Sequence, residues 1–85
     1  MIRIKHFTAT WCQPCKQLSP IMRELSSQNP TVGYQIIDID DNIGIAQEYG
    51  VRAVPTIVFE KNGLVVQTVI GVQPKSYYQS LIDSL

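Results

Sequence analysis

An α/β fold built on a four-stranded mixed sheet with helices on both faces is predicted by three features of this 85-residue chain. Its apolar residues switch between a period of two and helical spacing in the order β-α-β-α-β-β-α. The first two strand-like segments are separated by a helix of more than a dozen residues, which requires a parallel pair with a right-handed crossover. Asn62-Gly63 lies between the last two apolar runs, the strongest short signal for an antiparallel hairpin.

Each element has its own warrant. Residues 2 to 9 alternate, with Ile2, Ile4, His6 and Thr8 on one face and Arg3, Lys5, Phe7 and Ala9 on the other, which is a strand. Leu18, Ile21, Met22 and Leu25 then share one helical face. Asn29-Pro30 stops that helix, and Pro20 inside it should bend the axis without ending it. Residues 32 to 39, with Val32, Tyr34, Ile36, Ile37 and Ile39, read as a second and largely buried strand. Asp40 and Asp41 are N-cap candidates for a short helix through Ile43, Ala46 and Tyr49 that ends at Gly50. Residues 56 to 60 make a third strand and Leu64 to Ile70 a fourth. Pro74 suits the first position of a closing helix, whose Tyr77, Leu81, Ile82 and Leu85 supply apolar contacts.

Composition narrows the functional classes. Hydrophobic residues make up 45% of the chain and charged residues 16%, too apolar and too weakly charged for disorder. Seven basic residues balance seven acidic ones, so no electrostatic case exists for nucleic acid or an anionic membrane. The apolar runs fall far short of the roughly 20 residues that span a bilayer. Met1 to Lys5 alternates apolar with basic and has no features of a secretory leader. The expectation is one domain over residues 1–85, cytoplasmic and monomeric.

The two cysteines, Cys12 and Cys15, stand where a strand ends and a helix begins. A bridge across two residues closes too short a loop to stabilise a fold, so the pair is chemical rather than architectural. A thiolate is the attacking species, and the unpaired N–H groups and dipole of a helix N-terminus stabilise it. Cys12 is then the exposed nucleophile, and Cys15, one turn inside the helix, is the shielded thiol that resolves the mixed disulfide. The competing readings are inert thiols or a zinc half-site. Zinc needs four ligands, and the chain has only these two cysteines and His6.

Trp11-Cys12-Gln13-Pro14-Cys15-Lys16, Pro20 in the helix and Val54-Pro55-Thr56 before the third strand resemble the thioredoxin family, whose usual motif is Trp-Cys-Gly-Pro-Cys-Lys. Asp40, Tyr49-Gly50-Val51-Arg52, Lys61-Asn62-Gly63 and Gly71 fall at thioredoxin-like spacings, so the resemblance runs over nearly the whole chain. It implies a thioredoxin fold lacking the family's first strand and helix. Arg3 and Lys5 would then stand on the face that helix covers elsewhere, where solvent takes its place and charge guards against foreign strand pairing. The resemblance further implies that Pro55 is a cis-proline against the dithiol and that Val54 offers backbone hydrogen bonds to an extended substrate. Trp11, Gln13, Pro14 and Gly71 would complete the binding surface. The implied activity is reduction of protein disulfides, with no cofactor beyond the Cys12–Cys15 disulfide and with recycling by a thioredoxin reductase or another thiol donor.

Three positions depart from the family. Gln13 replaces a glycine and adds no charge beside Cys12. His6 stands where a buried aspartate is usual, and Ile36 stands where that aspartate's lysine partner lies. His6 is thus either the proton acceptor for Cys15, its ordinary pKa being near neutrality, or a packed histidine without a catalytic part. Two other functions compete. A glutathione-linked glutaredoxin matches the size, but Cys-Gln-Pro-Cys, Ala53-Val54-Pro55 and Gly71-Val72 fit its motifs poorly. A redox-independent binding module would use the groove of Trp11, Pro55 and Gly71 and survive replacement of both cysteines.

Overall fold

The computed structural model describes residues 1–85. Strand β1 (Ile2–Thr8) runs into helix α1 (Gln13–Gln28), followed by β2 (Gly33–Asp38), α2 (Ile43–Glu48), β3 (Thr56–Lys61), β4 (Leu64–Ile70) and α3 (Lys75–Ser84). The sheet order is β2-β1-β3-β4. β1 pairs in parallel with β2, His6 opposite Ile36, and antiparallel with β3, His6 opposite Ile57. The β3–β4 hairpin turns at Asn62 and Gly63, both with positive φ (54° and 84°), as a two-residue turn matched to strand twist demands. The predicted element order and mixed sheet are those observed.

Alternation along β1 divides the core into two layers. On one face Ile4, Ile57, Phe59 and Val69 pack with Leu18, Met22 and Leu25 of α1 and with Tyr78 and Ile82 of α3. On the other, Phe7, Ile37 and Val58 meet Ala46 of α2. α1 runs unbroken through Pro20, because Pro20 and Lys16, whose carbonyl loses its helical partner, are both exposed. No helix is long and apolar enough to cross a membrane.

Several local expectations change. β2 is half exposed rather than largely buried, with Ile37 its only buried residue and Ile36 60% exposed, because it is an edge strand. The N-cap of α2 is Asn42, not Asp40 or Asp41; Asp40 lies in the preceding turn, its N–H bonded to Asp38 Oδ1 at 2.9 Å. Pro74 is the N-cap of α3 rather than its first residue. In α3 Tyr78 fills the core beside Ile82 while Tyr77 is exposed. The periodicity admits either tyrosine as inward, and Tyr78 is the one whose ring stacks on Phe59 of β3, with centroids 6.4 Å apart.

The face bearing Arg3 and Lys5 has a polar cover. Lys5 Nζ lies 3.2 Å from Glu60 Oε1 and 3.4 Å from Gln35 Oε1, and 5.8 Å from the centre of the Tyr49 ring. Tyr49 donates its hydroxyl to Glu60 Oε2 at 2.9 Å.

Candidate active site

The site forms where β1 gives way to α1. Cys12 is the N-cap of α1 in extended conformation, and its sulfur accepts the Cys15 N–H at 3.2 Å. Gln13 and Pro14 open the first turn, where proline removes only an N–H that a helix start leaves unpaired. Cys12 and Cys15 form a disulfide with Cα atoms 5.3 Å apart. The half of the bridge nearest the helix terminus is therefore the one that backbone N–H groups would stabilise as a thiolate.

The expectation of an exposed Cys12 is corrected. Cys12 is 4% exposed and Cys15 1%, so in the disulfide state the two sulfurs are almost equally covered. Ala9, Val54 and Ile39 pack around the pair, and Cys12 Sγ lies 3.6 Å from the Val54 carbonyl oxygen. Reactivity must be divided between them by helix position rather than by standing exposure.

The Val54–Pro55 peptide bond is cis and the Pro55 side chain is fully buried. The Pro55 carbonyl accepts the Gly71 N–H at 2.9 Å, which brings the β4 exit beside the dithiol loop. Gly71 has φ +91° and its missing Cβ would point into open space, so backbone conformation calls for glycine there and the approach stays clear. Tyr78 holds this segment from beneath: its hydroxyl receives the Gln73 N–H at 3.0 Å and donates to the Gly71 carbonyl at 3.3 Å. Trp11 is 63% exposed and its indole N–H is tied to Asp40 Oδ2 at 2.9 Å. Gln13 and Pro14 are exposed. Trp11, Gln13, Pro14, Val54, Pro55 and Gly71 thus all come to the dithiol end of the sheet.

His6 lies apart from that rim, wholly buried and on the β1 face that α1 and α3 cover. Its Nδ1 is 2.7 Å from the Tyr34 hydroxyl, and its Nε2 is the one buried side-chain polar atom without a hydrogen-bond partner. Burial lowers its pKa from 6.5 to about 4 and raises that of Tyr34 to about 12. Ile36, opposite His6 in the β1–β2 ladder, is exposed at the sheet edge and offers the ring no polar group. Sequence reasoning treated Tyr34 as a strand residue only. The spacing of 28 residues between it and His6 carries no local signal, and the parallel β1–β2 register alone brings them together.

The thioredoxin family model matches residues 2–84. The chain belongs to the thioredoxin family. It is 46% identical over 70 residues to a thioredoxin of Malassezia sympodialis, covering 80% of this chain and 67% of that protein. Against the thioredoxin of Bacillus subtilis it is 38% identical over 78 residues, or 91% of this chain and 75% of the relative. With other curated relatives the match spans only about half their length. Among solved structures, a mutant thioredoxin from Halobacterium salinarum NRC-1 superimposes with a TM-score of 0.93 at 37% identity, covering 98% of this chain and 73% of that one. Thioredoxin membership and the Cys12–Cys15 disulfide make thiol–disulfide exchange the chemistry of this site.

Proposed function

We propose that this thioredoxin works as a reductase of protein disulfides in the cytoplasm, recycled by a thioredoxin reductase or another thiol donor. One observation supports the division of labour most directly: the Cys12 sulfur, not that of Cys15, caps α1 and receives a backbone N–H.

In the reduced protein, the Cys12 thiolate attacks one sulfur of a substrate disulfide, forming a new S–S bond and expelling the first substrate thiolate. The Cys15 thiol then loses its proton, and its thiolate attacks Cys12 Sγ. That step forms the Cys12–Cys15 bond and releases the second substrate thiolate, which takes a proton from solvent. Two electrons pass to the substrate, and no other cofactor enters the balance. Trp11, Gln13, Pro14 and Gly71 form the platform, and the backbone of Val54 beside Pro55 pairs with an extended substrate segment.

Limiting iodoacetamide on the reduced protein should modify Cys12 well ahead of Cys15, and Cys15→Ser should trap a mixed disulfide. Preferential labelling of Cys15 would reverse the roles. Gln13 brings no charge to the thiolate, which favours a reducing potential of roughly −220 to −290 mV. A potential near −120 mV would make the protein an oxidant instead.

A further inference from the structure

Of the nine buried residues in the larger core cluster, only Tyr78 carries a hydroxyl. Its ring stacks on Phe59 of β3 with centroids 6.4 Å apart, and phenylalanine would fill the same volume, so packing gives no reason for the phenolic oxygen. That oxygen reaches the connection between β4 and α3. There it accepts the Gln73 N–H at 3.0 Å and donates to the Gly71 carbonyl at 3.3 Å. These two groups belong to the peptide units on either side of Val72, so one hydroxyl restrains both backbone dihedrals of a residue that is 36% exposed.

The restrained segment is joined to the dithiol loop. Gly71 N–H donates to the Pro55 carbonyl at 2.9 Å, and the carbonyl of Val54 lies 3.6 Å from Cys12 Sγ. No other side chain bonds the backbone of residues 71 to 73, and Pro74 begins α3 without a side-chain cap. Gly71 and Gln73 are only half-buried, where water could serve their polar groups. A hydroxyl fixed in the core therefore adds placement, which a mobile water does not. Burial raises the Tyr78 pKa, so the hydroxyl keeps the proton it donates.

We propose that Tyr78 is a positioning residue for substrate, its hydroxyl holding Gly71 and Val72 where a peptide segment flanking the target disulfide docks beside Pro55. This rests on the reading of the dithiol groove as the site of protein-disulfide reduction. Tyr78 reaches no sulfur in this arrangement and acts through the backbone of residues 71 to 73 alone. A segment ordered beforehand need not be ordered when the substrate arrives, so its entropy is not lost on binding. A disulfide without peptide flanks gains nothing from that order.

Tyr78→Phe keeps the ring and removes the hydroxyl. The full-length variant, reduced and freed of reductant, is mixed in stopped flow with either of two disulfides: a peptide disulfide with extended flanks, or the small aromatic disulfide dithionitrobenzoate. The half-saturating concentration of the peptide should rise about fivefold at an unchanged limiting rate, while the rate with the aromatic disulfide matches wild type. A tyrosine that serves only the fold would change both substrates together or neither, and either result overturns the proposal. Should Tyr78→Phe fail to fold, amide exchange decides. The Gln73 amide should already be protected in the free reduced wild type, and no further in the mixed disulfide of Cys15→Ser with the peptide. Protection gained only on binding would show that the substrate, not Tyr78, orders the segment. Wild-type protein that reacts with neither disulfide would instead overturn the exchange reading, and the positioning role with it.

Discussion

The two faces of β1 treat buried polarity in opposite ways. On the α2 side, Lys5, Glu60 and Tyr49 satisfy one another through an ion pair, a hydroxyl bond and a ring contact. On the side of α1 and α3, His6 is buried more deeply and keeps an idle nitrogen. The difference teaches that the satisfied cluster belongs to stability, since every group in it is already spent. The unsatisfied ring lies on the same face as the helix bearing the dithiol, and it costs the fold about 1–3 kcal/mol.

The contrast can be broken most strongly through packing. Leu18→Ala should destabilise by about 4 kcal/mol, because it belongs to a cluster of nine buried residues, and the other eight cannot collapse into the gap. Ile37→Ala, in a cluster of four beside an exposed edge, should cost about 2 kcal/mol. Urea unfolding of both variants checks the order, and equal costs would mean that the two layers are packed alike.

Acid sharpens the contrast next. His6 has a folded pKa of about 4 against 6.5 unfolded, so between those values the unfolded chain binds more protons and stability falls as pH falls. The contribution is complete above pH 6.5, and its loss by pH 4 amounts to about 3 kcal/mol. His6→Leu should flatten that part of the urea-midpoint profile, while Lys5→Met on the opposite face should leave it in place.

Glu60→Gln has the smallest expected effect. It removes the charge partner of Lys5 but keeps an acceptor for the Tyr49 hydroxyl, so it should cost about 1 kcal/mol, read as a shift in thermal midpoint. A loss of several kcal/mol would show this face to be as intolerant as the other.

Much of the molecule was readable from periodicity and turn chemistry. Alternation in β1, the Leu18–Leu25 stripe and Asn62-Gly63 each act within a few residues, so their elements fall where expected. Contacts that join distant segments were not readable. Tyr34 reaches His6 only through the parallel register, Tyr78 rather than Tyr77 turns inward to meet Phe59 of β3, and Cys12 is covered by Ala9 and Val54, which come from other segments. The candidate site was legible as a motif around Cys12 and Cys15. The buried pair of His6 and Tyr34 was not, because only the parallel β1–β2 register brings the two together.

Helix α2 is six residues long, lacks a side-chain cap and buries only Ala46. Its backbone amides at Ala46 and Tyr49, bonded to Asn42 and Ile45, should therefore exchange with deuterium through local openings. Those of β1, laddered on both sides, should wait for global unfolding. The dithiol caps a helix that packs on the opposite face of the sheet from α2. Fluctuations of α2 can thus be frequent without loosening the grip on either sulfur, and a protease acting on the native state would find its first cleavage site in α2 rather than at the redox centre.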